Sequence, residues 1–279
     1  MEYRPRLQFE DKFNIKDKTI SEIEQLIESV KIDRDLIDSL YADNRKTTSI
    51  LAVKCEKKLR EDKILERKFK EYKNIENQLY DKGFERILGF YVTGLSAVAG
   101  PLTFCLIKLN RFTKIKGVKY SNYLTTRKRK KLNKNIKQEA EYIDILHLSS
   151  DHIDKLGLKS SILKGYNILK RKLSENIELD FEKDYFIYYK YDLENENSKL
   201  INSTQKKVYL LACASIAAKV AREKKMIKLS KKYQDYEFEK NHGYITESHR
   251  EAVKNQGFSP IHRRSFDFEK KLKFDFRGV

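Results

Sequence analysis

Five consecutive cations, Arg127-Lys128-Arg129-Lys130-Lys131, form the densest chemical signal in the chain, and clustered guanidinium and ammonium groups are what binds phosphate. They sit in a wider segment, Ile87 to Gln138, that carries twelve Lys or Arg and no Asp or Glu. The overall composition would place roughly seven or eight acids there. Local loss of acids concentrates positive charge, and it also removes the oxygen donors that hard divalent cations require. Acids that could still offer such donors lie elsewhere: Asp192 and Glu194 after an aromatic run, and Asp267, Glu269 and Asp275 near the end. Three histidines, His242, His249 and His262, could ligate a metal, but their spacing fits no zinc pattern.

The elements that must position these groups follow from pattern. Ile87–Ile107 is free of charge for twenty-one residues, yet Gly89, Gly94, Gly100 and Pro101 cut it into strand-length pieces. The expectation is a strand at Ile87–Thr93, a turn at Gly94–Pro101 and an antiparallel partner at Leu102–Leu109, with no membrane span and no signal peptide before it. Thr125 can cap a basic helix running to about Tyr142, followed by a strand at Ile143–Leu148. Ser150 or Asp151 can cap a helix to Leu173; Tyr185–Lys190 reads as an aromatic strand, and a polar loop leads to a helix from about Lys206 to Tyr233. That last helix carries the small-residue face Ala212–Ala218, suited to lying close against a sheet. Residues 1–84 read as a separate helical extension, with a capping box at Thr19–Glu22 and a long charged helix from about Thr48 to Tyr80. The order of elements indicates an α/β domain over 85–279 with a mixed central sheet flanked by helices.

Net charge of +18 favours a polyanionic partner, nucleic acid before membrane, although a Lys-rich surface of biased composition gives the same total. Cys55, Cys105 and Cys213, odd in number and far apart, indicate a reducing cytoplasm and no disulfide framework.

Three blocks stand in order: Leu211-Ala-Cys-Ala-Ser-Ile-Ala-Ala-Lys-Val-Ala-Arg222, then Asn241-His-Gly-Tyr-Ile-Thr246 with His249, then Ile261-His-Arg-Arg-Ser-Phe266. Together they resemble the C-terminal signature of the ribonuclease HII family. Ile87–Pro101 resembles that family's first strand and turn, Ile153-Asp154 begins a matching helix, and Asp43–Lys46 with Lys82–Phe84 match its N-terminal extension. The resemblance implies a ribonuclease H-like fold and endonucleolytic cleavage of RNA in RNA–DNA hybrids, with Mg or Mn held by four acids.

At each of those four positions this chain departs from the family. The resemblance puts an Asp-Glu pair at Tyr91 and Val92, a third acid at Tyr189 and a fourth at Gln205. Tyr and Gln can hydrogen-bond, but neither is anionic at neutral pH. No resident metal or other cofactor is therefore expected. The family's Gly-Arg-Gly element appears as Gly94-Leu95-Ser96 and its Asp-Ser-Lys-Lys stretch as Tyr120-Ser121-Asn122-Tyr123. What survives for substrate contact is Tyr244, whose family counterpart stacks on a sugar, with Arg263 and Arg264.

The expected protein is a catalytically inactive relative that binds an RNA–DNA hybrid or duplex DNA through Arg127, Lys128, Arg129, Lys130, Tyr244, Arg263 and Arg264. Two alternatives stand beside it: an active hybrid ribonuclease with non-standard ligands, and a protein-interaction module presenting Tyr91, Tyr120, Tyr123, Tyr188 and Tyr189.

Overall fold

The structure, a computed structural model, describes residues 12–180, 182–189, 198–201 and 208–266. The chain divides into two compact units, residues 1–71 and 72–279.

The first unit contains helices α1 (Ile20–Ser29), α2 (Arg34–Ala42) and most of α3 (Lys46–Asp81), whose turns from Tyr72 onward belong to the second unit. The capping box forms as expected: Thr19 Oγ1 accepts the Glu22 N–H while Glu22 reaches back to the Thr19 N–H. Ile23, Leu36, Ile37, Leu40 and Ala52 are fully enclosed where the three helices meet. Between α2 and α3, Arg45 donates to the carbonyls of Ile15 and Lys18 and pairs with Asp43. That guanidinium holds the Asp43 carboxyl well below the usual carboxylate range.

The second unit is built on a five-stranded mixed sheet in the order β3-β2-β1-β4-β5. Strand β1 (Arg86–Thr93) runs antiparallel to β2 (Leu102–Leu109), which pairs antiparallel with β3 (Ala140–Leu148). On the other side β1 runs parallel to β4 (Asp184–Tyr189), and β4 parallel to β5 (Ser198–Ile201). The uncharged run Ile87–Ile107 is therefore a hairpin, as its glycines imply, and among the described residues no helix is long and apolar enough to cross a membrane.

Alternation along the strands separates two layers. Leu88, Phe90, Val92, Phe104, Leu106 and Phe186 point to one face, packed beneath α5 (Ser150–Ser174) through Ile153, Ile162, Tyr166 and Leu169. Against the other face lies α6 (Tyr209–Ser230), which buries every residue from Tyr209 to Ala218. The small side chains allow that close approach: at Gly89 a Cβ would collide with Leu210 of α6. Helix α4 (Thr126–Glu139) packs beside α6, and α7 (Phe238–Asn241) with α8 (Glu247–Gln256) completes the unit.

Two expectations need correcting. The basic helix ends at Glu139 rather than near Tyr142, because Ala140–Tyr142 already pair with β2 across a bulge. The polar loop after β4 contains the strand β5, four residues whose Lys-Leu-Ile core is too short to show a period.

Candidate functional site

Of the four positions where the family resemblance implies acids, Tyr91 and Val92 stand near the carboxyl end of β1 and Tyr189 ends β4. Tyr91 stands opposite Cys105 in the β1–β2 register, half-buried on the α6 face. Its ring centroid lies 6.3 Å from that of Tyr120, which is buried beside it. The backbone there is fixed, since the Ser121 N–H donates to Ser215 Oγ of α6 at 3.0 Å. Val92 points the opposite way, 4 % exposed, into the apolar layer under α5. Parallel pairing of Phe90 with Tyr188 puts position 189 beside position 91 in the sheet. The side chain of Tyr189, all of Gln205 and Thr204, and the acids Asp192, Glu194, Asp267, Glu269 and Asp275 lie outside the described residues.

A phenol and an alkyl group do not fit a hard divalent cation, which selects anionic oxygen. Among the described residues no group of three His, Cys, Asp or Glu is arranged to hold a metal.

The turn between β1 and β2 rests on two buried arginines. Arg263, 2 % exposed, donates from Nε and Nη2 to the Gly100 carbonyl at 3.0 and 2.9 Å and from Nη1 to the Gly94 carbonyl at 2.7 Å. Arg222 donates to the carbonyls of Pro101, Ala99 and His242. Burial lowers the pKa of both, and for Arg263, with Arg222 nearby, it falls to about 9. Gly94 is required here: its φ of +86° is left-handed and an added Cβ would strike Arg222. Tyr244 is half-exposed, with the Arg222 guanidinium 5.2 Å and the Lys219 ammonium 5.8 Å from its ring centroid.

The predicted phosphate-binding residues divide by burial. Arg127, Lys128 and Lys130 are exposed on α4, and Arg264 is exposed near the end of the described chain. Arg129 and Arg263 are not available to a phosphate. Arg129 is 8 % exposed and committed to Glu223 at 2.6 Å, to Thr126 Oγ1, and to the carbonyls of Ser121 and Leu124. Tyr188, offered as an interface tyrosine, is 3 % exposed inside the α5-side core.

Two clusters were not foreseen. Near the end of α3, Glu76 and Lys73 form a buried ion pair at 3.0 Å. Glu76 Oε1 accepts the Leu210 N–H at 2.7 Å, so it caps α6, whose own N-cap Val208 offers no acceptor. Burial raises the Glu76 pKa against the opposing pull of Lys73. At the carboxyl end of β1, where Thr93 pairs with Thr103, Thr103 Oγ1 lies 2.8 Å from His147 Nδ1. Burial, then the charges of Lys225 and Arg222, pull that imidazole down to about 4, so it is neutral at pH 7.

A mixed sheet in this order, with a small-residue helix on one face and an arginine-braced glycine turn at its edge, defines a ribonuclease H-like α/β domain. The same fold is found in the crystal structure of the ribonuclease H2 from Pyrococcus horikoshii OT3, with a TM-score of 0.52 and 21 % identity over 70 % of this chain and 100 % of that one. The family model "Ribonuclease HII" matches residues 92–269, and "Ribonuclease HII N-terminal domain" matches 19–80. A ribonuclease HII from Clostridioides difficile (strain 630) is 30 % identical over 261 residues, covering 90 % of this chain and 98 % of the relative. One from Caldicellulosiruptor bescii is 32 % identical over 197 residues, covering 70 % and 93 %. The chain belongs to the ribonuclease HII family.

Proposed function

We propose that this family member binds RNA–DNA hybrid or duplex DNA through its basic face and does not cleave it by the family's metal-dependent route. The observation that carries the reading is the pair at the end of β1. Tyr91 fills the α6 face against Tyr120, and Val92 is closed inside apolar core, so neither offers a cation an anionic ligand. Two close dications repel unless acids compensate them, and the surrounding segment 87–138 supplies none. Phosphate attraction comes instead from Arg127, Lys128 and Lys130, exposed together on α4. The three cysteines are buried and unbridged, which suits work in a reducing cytoplasm.

The test is a ribonucleotide-containing duplex incubated with Mg or Mn at high protein concentration, alongside a gel shift across a salt series. No product together with salt-sensitive binding is expected. Turnover would replace this reading with that of an active enzyme using other ligands. A restored set, Tyr91→Asp, Tyr189→Asp and Gln205→Asp, is built with and without Val92→Glu, because a carboxylate at 92 enters apolar core and costs stability.

A further inference from the structure

The two most exposed large apolar side chains among the described residues lie close together in sequence. Phe112 is 84 % exposed and Tyr123 is 65 % exposed. Both belong to the connection between β2 and α4, which also carries Arg111, Lys114, Lys116 and Lys119 and contains no acid.

This connection is anchored along its length. Phe112 sits in a turn where its own N–H donates to Asn110 Oδ1 and the Thr113 N–H donates to the Asn110 carbonyl, both at 3.0 Å. The Arg111 carbonyl accepts from the buried Lys73 ammonium, and the Ile115 N–H donates to the Tyr209 hydroxyl at 2.6 Å. Thr113, Ile115, Tyr120 and Ser121 are buried. Two acids beside it are engaged: Glu141 by Lys108 and Asn110, Asp81 by Arg111. Two exposed aromatic side chains thus stand on anchored backbone, with Lys114, Lys116 and Lys119 between them in the chain.

Rings presented singly and interleaved with cations suit successive nucleobases, each with a face to stack and a phosphate beside it. A protein partner would favour a contiguous, desolvated aromatic cluster instead. We propose that Phe112 and Tyr123 stack on unpaired bases, making this connection a binding site for single-stranded nucleic acid next to the basic helix. The inference rests on the nucleic-acid reading above and extends it from paired to unpaired strands.

The test measures fluorescence anisotropy of a labelled single strand, and of a duplex of the same sequence, with the full chain and its F112S, Y123S and double variants. Each substitution should weaken single-strand binding roughly five- to 150-fold, as loss of one base–aromatic stack does. Duplex binding and the thermal melt should stay unchanged, and 2-aminopurine in the strand should be quenched by the unaltered protein and not by the double variant. Single-strand affinity unmoved in the double variant overturns the inference and leaves duplex binding standing. Equal losses on both ligands overturn it too, as does a loss confined to phosphatidylserine vesicles, which would assign the rings to a lipid surface. If the unaltered protein binds neither oligonucleotide at low salt, the broader nucleic-acid reading falls first.

Discussion

The Nε2 atoms of His249 and His262 lie 3.0 Å apart with both rings buried, and in the neutral pair one of the two carries the hydrogen. Their surroundings decide which. His249 Nδ1 lies 2.8 Å from the Tyr244 carbonyl and must donate to it, which leaves its Nε2 an acceptor. His262 therefore donates from Nε2, and its Nδ1 accepts the Ser259 N–H at 2.9 Å and the Ser259 hydroxyl at 2.8 Å. Every ring nitrogen is used within the protein, so these imidazoles tie the Tyr244 backbone to the chain at Ser259 rather than awaiting a metal.

That chain of hydrogen bonds has no room for another proton. Burial, reinforced by His249, pulls the His262 pKa to about 4, and burial lowers His249 as well. The unfolded chain protonates His262 near pH 6.5, whereas the folded one refuses that proton until near pH 4. Stability is therefore full above about pH 6.5 and falls as the pH drops toward 4, with His147 adding in the same direction. Urea melts should give a loss of about 1–3 kcal/mol between pH 7 and pH 5, and His262→Asn should flatten that slope while costing stability at pH 7. Equal stability of the unaltered protein at the two pH values would contradict the assignment.

Arg263 and Arg264 are neighbours in sequence with opposite fates. Arg263→Met strands the Gly94 and Gly100 carbonyls under the β1–β2 turn and should cost at least about 2 kcal/mol. Arg264→Gln changes an exposed side chain and should stay within about 0.5 kcal/mol. Thermal melts of the two variants decide it; similar shifts would mean that Arg263 does not hold the turn.

For Glu76 and Lys73 the expected behaviour is strong non-additivity. Glu76→Gln keeps an acceptor for the Leu210 N–H but leaves the Lys73 ammonium buried without its counter-charge, costing about 3–5 kcal/mol. Adding Lys73→Met removes the stranded charge, so the double variant should be more stable than Glu76→Gln alone. Additive losses in a double-mutant cycle would show that the pair is not coupled.

Much of this fold was readable because its signals are local. The Thr125 cap, the glycine-cut hairpin and the Ala212–Ala218 face each act through neighbours a few residues away. Burial of individual cations was harder to read, since charge type does not say which way a side chain turns. For Arg129 a signal did exist: it shares the i, i+3, i+4, i+7 stripe with Leu132, Asn133 and Ile136, which is the buried face of α4. Arg263 had none, because its partners are carbonyls more than 160 residues earlier in the chain. The same limit hid Glu76, whose role as the cap of α6 joins residues 134 positions apart.

The stripe on α4 separates two kinds of basic residue and gives the nucleic-acid reading its sharpest check. Lys128 and Lys130 are exposed, so Lys128→Gln and Lys130→Gln should each free one phosphate and lower the slope of log affinity against log salt by about one, with the melt unchanged. Arg129→Gln should do the reverse. Its guanidinium is shared among Glu223, Thr126 and two carbonyls, so its removal leaves a buried carboxylate unpaired and loosens α4 from α6. The melt should drop by about 3 kcal/mol or more, while the salt slope of the protein that remains folded should hold. Titrations of RNA–DNA hybrid and duplex DNA over a salt series separate these outcomes. A salt slope insensitive to Lys128 and Lys130 would mean that the densest run of charge in the sequence faces solvent and nothing else.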